Sequence, residues 1–323
     1  MRIAIPDDYQ NVIQKLDCFS VLQGHEVTVY HDTVSDIDQL AARFADAECL
    51  VLTRERTRIT AELLERLPKL KLISQTGKAG EHIDLKACTA RGVAVVEGFG
   101  SPVAPAELTW ALIMASRRHL VQSAQDMKQG KWQTTIGTAL HGQRLGIWSY
   151  GKIGKMIAGY GKAFGMRVWA WGGEKSRQAA IADGFEAAPS REAFFRESDV
   201  ISLHIRLLAA TRGIVTLQDL QMMKPDALIT NTSRAELIAP GALEAALSSG
   251  RPGFAAIDVY EQEPMLDPDH PLLQMPNVLC TPHLGYVEKN GYELYFGTAF
   301  RNVLDFAAGT PKNVANPEVL GKA

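Results

Sequence analysis

The chain holds only four cysteines in 323 residues (Cys18, Cys49, Cys88 and Cys280), far apart and with no C-x-x-C pair. That spacing argues against a cysteine metal cluster or a dithiol redox motif and predicts reduced thiols in a cytoplasmic protein. No apolar run approaches the roughly 20 residues that a membrane-spanning helix needs. The opening MRIAIPDDYQ passes from a short apolar run straight into acids, unlike a signal peptide. Neither sign of charge is in excess. A formal net charge of −2 gives no electrostatic reason to expect nucleic acid or an anionic membrane as partner. Internal repeats and low-complexity tracts are also missing, so a solenoid is not expected. A 46% hydrophobic share and a length sufficient for two ordinary domains, each with its own core, point to a soluble globular protein.

Short β-branched runs alternate with helical stretches almost from end to end. RIAIP, HEVTVYH, CLVLT, LKLISQ and VAVVEG form a first series of strands, with helices predicted over Ser35 to Ala47 and, from a Thr N-cap, Thr60 to Leu67. A second series runs RLGIWS, RVWAW, DVISLHI, ALITNTS, FAAIDVY and NVLCTPH. Between them one long helix is predicted from about Val103 to Gly130, with apolar positions three and four residues apart. A last helix is predicted from about Val287 to Ala308. This is an α/β pattern of two doubly wound parallel-sheet lobes with a cleft between them. The expected boundaries are residues 1–100 and 287–323 for one domain and 101–286 for the other. Ligands of such sheets lie at the carboxyl ends of the strands.

The stretch LGIWSYGKIG, Leu145 to Gly154, has the context of a dinucleotide-binding turn: strand before, helix after, second strand following. Gly151 allows a pyrophosphate close to the backbone, and Gly154 lets the helix pack on the strand. Ser149 stands where the first glycine of G-x-G-x-x-G belongs, so the tight turn lacks glycine's freedom at positive φ. The second strand ends WGGEKSR. NAD sites usually place an acid near this position for the ribose hydroxyls, and here it is Gly172. Lys175 and Arg177 follow within reach of a 2′-phosphate, which leans the cofactor towards NADP rather than NAD. Glu174 is a candidate for the missing acid, and a solvated charged loop with no cofactor role is the other reading of this stretch.

Three later strand ends carry reactive side chains: Arg234 in ITNTSRAEL, Asp258 and Glu263 in AAIDVYEQEP, and His283 in CTPHLGY. One alone would be an ordinary structural residue. Together, downstream of a nucleotide turn, they form a catalytic constellation.

With these segments in order, the sequence resembles the D-isomer-specific 2-hydroxyacid dehydrogenases, which include 3-phosphoglycerate dehydrogenases and glyoxylate/hydroxypyruvate reductases. LISQTGKAGEHIDLKACTARGVAVVEG resembles the family's substrate loop and SYGKIG its cofactor turn. MMKPDALITNTSRAELI, the D-V-x-x-x-E-P of AAIDVYEQEP and the T-P-H of LCTPHLGY follow in the family's order. The resemblance implies a flavodoxin-like substrate domain, a Rossmann NAD(P) domain and reversible reduction of a 2-keto acid to a D-2-hydroxy acid. His283 would be the acid/base, Glu263 would orient its imidazole, and Arg234 would bind the substrate carboxylate. Gly77, Lys78 and Ala79 would hold that carboxylate with backbone amides. Ser149, Tyr150, Gly151, Lys152 and Ile153 would meet the pyrophosphate. His204, Thr211, Thr232, Ser233, Asp258 and Gly285 would line the adenosine and nicotinamide ends. The helix containing Trp110 to Leu120, with its connecting arm, resembles the family's dimerisation element and implies a homodimer.

Some positions depart from the family pattern: Ser149, Ala235 after the arginine, Arg206 for a proline, and Ala79 and Glu81 in the substrate loop. None removes a reacting group. The chain shows no long C-terminal extension, so a separate regulatory domain is not expected. An NAD(H) sensor of the same fold is the main alternative, which the intact Arg234, Glu263 and His283 argue against. Glu263 argues against a formate dehydrogenase, which has Gln there. A methyltransferase offers no reason for the His–Glu pair.

Overall fold

The protein is described by a computed structural model in which residues 1–321 are placed. Its chain divides into two compact units, Met1–Ser101 with Val287–Ala323, and Pro102–Tyr286.

The first unit is a five-stranded parallel sheet. Its strands are β1 (Arg2–Ile5), β2 (Glu26–Val29), β3 (Cys49–Leu52), β4 (Leu72–Gln75) and β5 (Ala94–Glu97), in the order β2-β1-β3-β4-β5. Every residue of β3 and β4 is buried, as expected of strands covered on both faces. The intervening helices start at side-chain caps: Asp36, Thr60 and Asp84 accept from the amides of Gln39, Leu63 and Ala87. Helix Lys289–Ala307 belongs to this unit and buries Phe296, Phe300 and Val303. A bond from Ser74 Oγ to the Ala299 carbonyl ties that helix to β4 (2.8 Å).

The second unit is a seven-stranded parallel sheet: β6 (Arg144–Trp148), β7 (Arg167–Trp171), β8 (Glu186–Ala187), β9 (Val200–Leu203), β10 (Leu228–Asn231), β11 (Phe254–Ile257) and β12 (Val278–Cys280). The order β12-β11-β10-β9-β6-β7-β8 reverses direction between β6 and β9, which makes the carboxyl ends of those two strands the switch point. Alternate residues feed two cores. Trp148, Ile201, Ile229 and Ala255 pack on one face with Phe194 and Phe195, while Ile147, Val200, Leu228 and Ala256 pack on the other with Ile113 and Ile157.

One expectation fails in this unit. The long helix predicted from Val103 to Gly130 is two helices, Val103–Arg117 and Leu120–Lys128, broken at His119 with φ +48°. The Arg117 carbonyl accepts from the amide of Thr138 (2.8 Å), so a returning loop takes an acceptor that a continuous helix would use. Buried Arg117 is held there by its own bond to the Asp226 carbonyl (2.6 Å). The edge strand β8, two residues long, has no counterpart in the sequence reading.

Candidate active site at the strand ends of the second unit

Pairing register brings the last residues of six strands into a single row: Trp171, Trp148, Leu203, Asn231, Ile257 and Cys280. Most of the expected site residues of this unit follow within three positions of that row, among them Gly172, Ser149, His204, Arg234, Asp258 and His283. Neighbouring strands lie about 4.8 Å apart, so β10, β11 and β12 present Arg234, Asp258 and His283 side by side.

At β6 the turn forms with serine in the glycine position. Ser149 adopts φ +78°, the left-handed region that normally costs a non-glycine residue about 1 kcal/mol, and its amide donates to the Trp171 carbonyl (2.9 Å). Gly154 is required sterically: a Cβ there would stand 2.5 Å from the Ser149 carbonyl oxygen. At Gly151 a Cβ would meet no protein atom within 4 Å, so the space before the helix is open. Helix Lys152–Ala163 makes its first internal bond from the Lys155 amide to the Gly151 carbonyl (2.9 Å). The amides of its first turn, Lys152 to Gly154, therefore point out of the N-terminus, a cradle that fits a pyrophosphate. Buried Tyr150 differs from the expectation. Its amide is taken by Ser176 Oγ (2.6 Å) and its hydroxyl donates to Asp183 (2.9 Å).

At β7, Gly172 has φ +137° and the helix Glu174–Ala182 follows directly. Arg177 stacks on the Trp171 ring (5.3 Å from its centroid) and donates to Glu174 Oε2 (2.9 Å). Gln178 holds Glu174 Oε1 (2.8 Å). Lys175 is exposed. Ser176 was not foreseen. Its link to Tyr150 is long-range, and nothing in WGGEKSR distinguishes it from a helix-surface serine.

Around β9 and β10 the polar groups hold the backbone. His204 bonds Ser202 Oγ (2.9 Å), and burial lowers its imidazole to about 4, so it is neutral at physiological pH. Ser233 Oγ donates to the Leu203 carbonyl (2.7 Å), and Thr232 pairs with buried Thr109 (2.7 Å between hydroxyls). The Thr211 hydroxyl serves its own turn, donating to the Arg206 carbonyl (2.7 Å) and accepting from the Leu208 amide (2.8 Å). Asn231, also unforeseen, sets the course of the arginine loop. Its side chain accepts from the Ser233 amide (3.0 Å) and donates to the Arg234 carbonyl (2.8 Å). Arg234 itself donates to the Ser233 carbonyl (2.7 Å).

At β11 and β12 the site is densely bonded. Glu263 Oε2 lies 2.5 Å from His283 Nδ1, and its Oε1 accepts from the Tyr260 amide (3.0 Å). Both side chains are largely buried, His283 at 16% and Glu263 at 17% exposure. His283 sits at φ +51°. Asp258 explains how that conformation persists. It is wholly buried, and its Oδ1 accepts from Thr281 Oγ1 and the Leu284 amide (2.7 Å each) while Oδ2 accepts from the Gly285 amide (2.9 Å). Two of the residues expected to line the cofactor, Asp258 and Gly285, are therefore bonded to each other, bracing the loop that carries His283. Burial pushes the Asp258 carboxyl up, against the opposing pull of these donors.

The expected carboxylate loop lies in the first unit, just past β4. A Cβ at Gly77 would meet the Arg54 guanidinium, which would have to move aside to admit a side chain. Arg54, at φ +53°, packs over the Tyr295 ring (5.3 Å) and was not foreseen. The Ala79 amide is engaged by Glu97 Oε1 (2.9 Å), and the exposed Lys78 ammonium pairs with Glu97 Oε2 (2.5 Å). In this structure Ala79 thus offers its donor to a carboxylate of the protein, and Lys78 is a solvent-facing, neutralised cation.

Among the described residues no helix is long and apolar enough to cross a membrane, and no cluster of three or more His, Cys, Asp or Glu could hold a metal ion.

Residues 110–285 match the family model described as D-isomer specific 2-hydroxyacid dehydrogenase, NAD binding domain. Glyoxylate reductase of Aeropyrum pernix is 36% identical over 86% of this chain and 85% of its own length. D-3-phosphoglycerate dehydrogenase of Methanocaldococcus jannaschii is 35% identical over 77% of this chain but only 47% of its own length. The solved structure of an oxidoreductase from Ralstonia solanacearum superimposes with a TM-score of 0.97 at 56% identity, covering 99% of this chain and 98% of that one. A phosphoglycerate oxidoreductase from Vibrio cholerae O395 gives 0.93, also at 56% identity, over 95% of this chain and 99% of its own. The chain belongs to the D-isomer specific 2-hydroxyacid dehydrogenase family and is an NAD-dependent oxidoreductase.

Proposed function

We propose that His283 is the acid/base of a reversible 2-keto acid reduction, with Glu263 as its positioning partner and Arg234 as the substrate-carboxylate ligand. The observation that carries this reading is the 2.5 Å bond between Glu263 Oε2 and His283 Nδ1 on a loop fixed by Asp258. With Nδ1 committed to Glu263, Nε2 is the nitrogen that delivers a proton to the carbonyl oxygen, or removes one from the hydroxyl in reverse. The bound nicotinamide supplies hydride chemistry at the carbonyl carbon. Arg234 suits a planar carboxylate because its fork can bond both oxygens and polarise the neighbouring carbonyl. The amides of Gly77 and Lys78 are the remaining carboxylate donors in this reading.

On the cofactor side, the amides of Gly151, Lys152 and Ile153 would take the pyrophosphate. Gly172 leaves the strand end of β7 without an acid, and Lys175 and Arg177 provide cations for a 2′-phosphate, so NADP(H) is accepted alongside NAD(H). The substrate class is a small 2-keto or 2-hydroxy acid, in keeping with relatives named glyoxylate reductase and D-3-phosphoglycerate dehydrogenase. A homodimer is supported by apolar side chains left in solvent after the helix break, Leu120, Val121, Met127, Trp132 and Ile136, the last at 94% exposure. Four unpaired cysteines suit a cytoplasmic setting.

The test is oxidation of NADH and NADPH, followed by absorbance, against glyoxylate, hydroxypyruvate, phosphohydroxypyruvate and a bulkier 2-keto acid. Turnover with at least one acid is expected. Nucleotide binding without turnover on any of them would overturn the catalytic assignment.

A further inference from the structure

The ends of β4 and β5 in the first unit hold a carboxylate of the protein at the loop expected to receive one from the substrate. Glu97 is the last residue of β5 and pairs in register with Gln75 at the end of β4. Its side chain, 18% exposed, turns onto the loop after β4. There Oε1 accepts from the Ala79 amide (2.9 Å) and Oε2 from the Lys78 ammonium (2.5 Å). The Glu97 backbone is fixed as well: its amide donates to the Asn313 carbonyl (2.9 Å), and its carbonyl accepts from Asn302 Nδ2 (3.1 Å). The next residue closes on the same loop. The Gly98 amide donates to the Gln75 and Gly77 carbonyls (2.8 and 3.0 Å), and a Cβ at Gly98 would stand 2.7 Å from the Thr76 carbonyl oxygen. The carboxylate is therefore built into the loop and is not a surface side chain resting on it.

We propose that Glu97 is a specificity-determining residue, which keeps this loop selective for 2-keto acids of a single negative charge and against those carrying a second anionic group. The proposal rests on the reading given above, in which the substrate carboxylate meets the amides of Gly77 and Lys78. Consecutive Cα atoms lie about 3.8 Å apart, so an acceptor on the Lys78 amide is a near neighbour of Glu97 on the Ala79 amide. In a short keto acid a phosphate or second carboxylate follows within a few bonds of the first. It then lies within roughly one Debye length, about 8 Å at physiological ionic strength, of the Glu97 charge. Because Glu97 is mostly buried, that charge acts through a medium less polarisable than water. Glu97 also matches Lys78, so the pair offers no net charge to a second anion. Arg54, whose guanidinium lies against Gly77, and the exposed Glu81 are the other charges on this stretch, and both are common to every variant below.

Hydroxypyruvate and phosphohydroxypyruvate are suitable probes, because they differ only in the phosphate. Steady-state kcat/KM for each is measured with saturating NADH for the unmodified protein, Glu97→Gln and the double variant Glu97→Gln/Lys78→Met. Glutamine keeps an acceptor for the Ala79 amide and removes only the charge, so the loop keeps its support. The ratio of kcat/KM for the phosphorylated acid to that for the plain one is expected to rise about five- to twentyfold in Glu97→Gln. The rise should lie mainly in KM and fade as salt increases. The double variant restores the charge balance of the pair, and its ratio should return to within about twofold of the unmodified protein. Turnover of hydroxypyruvate with a ratio unmoved by Glu97→Gln overturns the role of Glu97 and leaves the catalytic reading intact. Equal slowing of both acids makes Glu97 a brace for the loop and likewise overturns the proposal. Turnover of neither acid by the unmodified protein overturns the substrate reading and the proposal with it.

Discussion

At β6 and β7 the groups presented beyond the strands are backbone amides and exposed charged side chains, whereas at β10 to β12 they are buried or half-buried side chains with several bonds each. At β6 the groups left without intrahelical partners are backbone amides, those of Lys152 to Gly154, and apart from Gly154 an amide can be supplied by any non-proline residue. Ser149 in a glycine position is the visible sign of that tolerance. The β10–β12 end has no such slack. Glu263, Asp258 and Asn231 each bond two or more partners, and the geometry of His283 and Arg234 depends on all three. Substitutions should therefore act strongly at one end of the row and weakly at the other.

The largest effect short of removing the acid/base is expected for Arg234→Lys. A point cation cannot bond both carboxylate oxygens in fixed geometry, so kcat/KM for the 2-keto acid should fall by about a hundredfold or more in steady-state kinetics. An effect under fivefold would remove Arg234 from the substrate. Asp258→Asn comes next, and it tests bracing rather than chemistry. Its amide leaves one of three buried donors without an acceptor, so chemical denaturation should show a loss on the order of 2 kcal/mol.

A smaller effect is expected from His204 and appears only on acidification. Burial lowers its folded-state value to about 4 from the ordinary 6.5. A base depressed in this way takes up its proton first in the unfolded chain, so stability is lost as pH falls through the window from about 6.5 to 4. Between pH 7 and pH 5 the unmodified protein should lose about 1–2 kcal/mol more than His204→Gln. Equal losses in the two proteins would show that His204 is not held neutral. Ser149→Gly should matter least. Relief of the left-handed strain and the added chain entropy of glycine roughly cancel, leaving a change within about 0.5 kcal/mol and a KM for the nucleotide within about twofold. A large loss would mean that the serine side chain, not the turn it occupies, binds the cofactor.

The same contrast separates what was legible in the sequence from what was not. All but one of the strands, the glycine turn and the helix start at Lys152 follow from local periodicity and from residues adjacent in the chain. The His283–Glu263 pair was accessible because both residues sit in recognisable blocks. Bonds across the fold were not legible. The helix stops at Arg117, whose carbonyl is taken by the Thr138 amide, and no proline or glycine between Arg117 and Leu120 marks the break. Asp258 reads as a ligand residue in AAIDVYEQEP, but its partners Thr281, Leu284 and Gly285 lie more than 20 positions later and show it as a brace. Ala79 reads as a backbone donor, and only the fold brings Glu97 to that donor.

The assignment of the proton-transfer group is tested most directly by His283→Ala, with turnover and ADP-ribose affinity measured on the same preparation. The account predicts a fall in kcat of about a hundredfold to ten-thousandfold with the dissociation constant for ADP-ribose unchanged. A variant that keeps its rate to within tenfold, with nucleotide affinity intact, would contradict it.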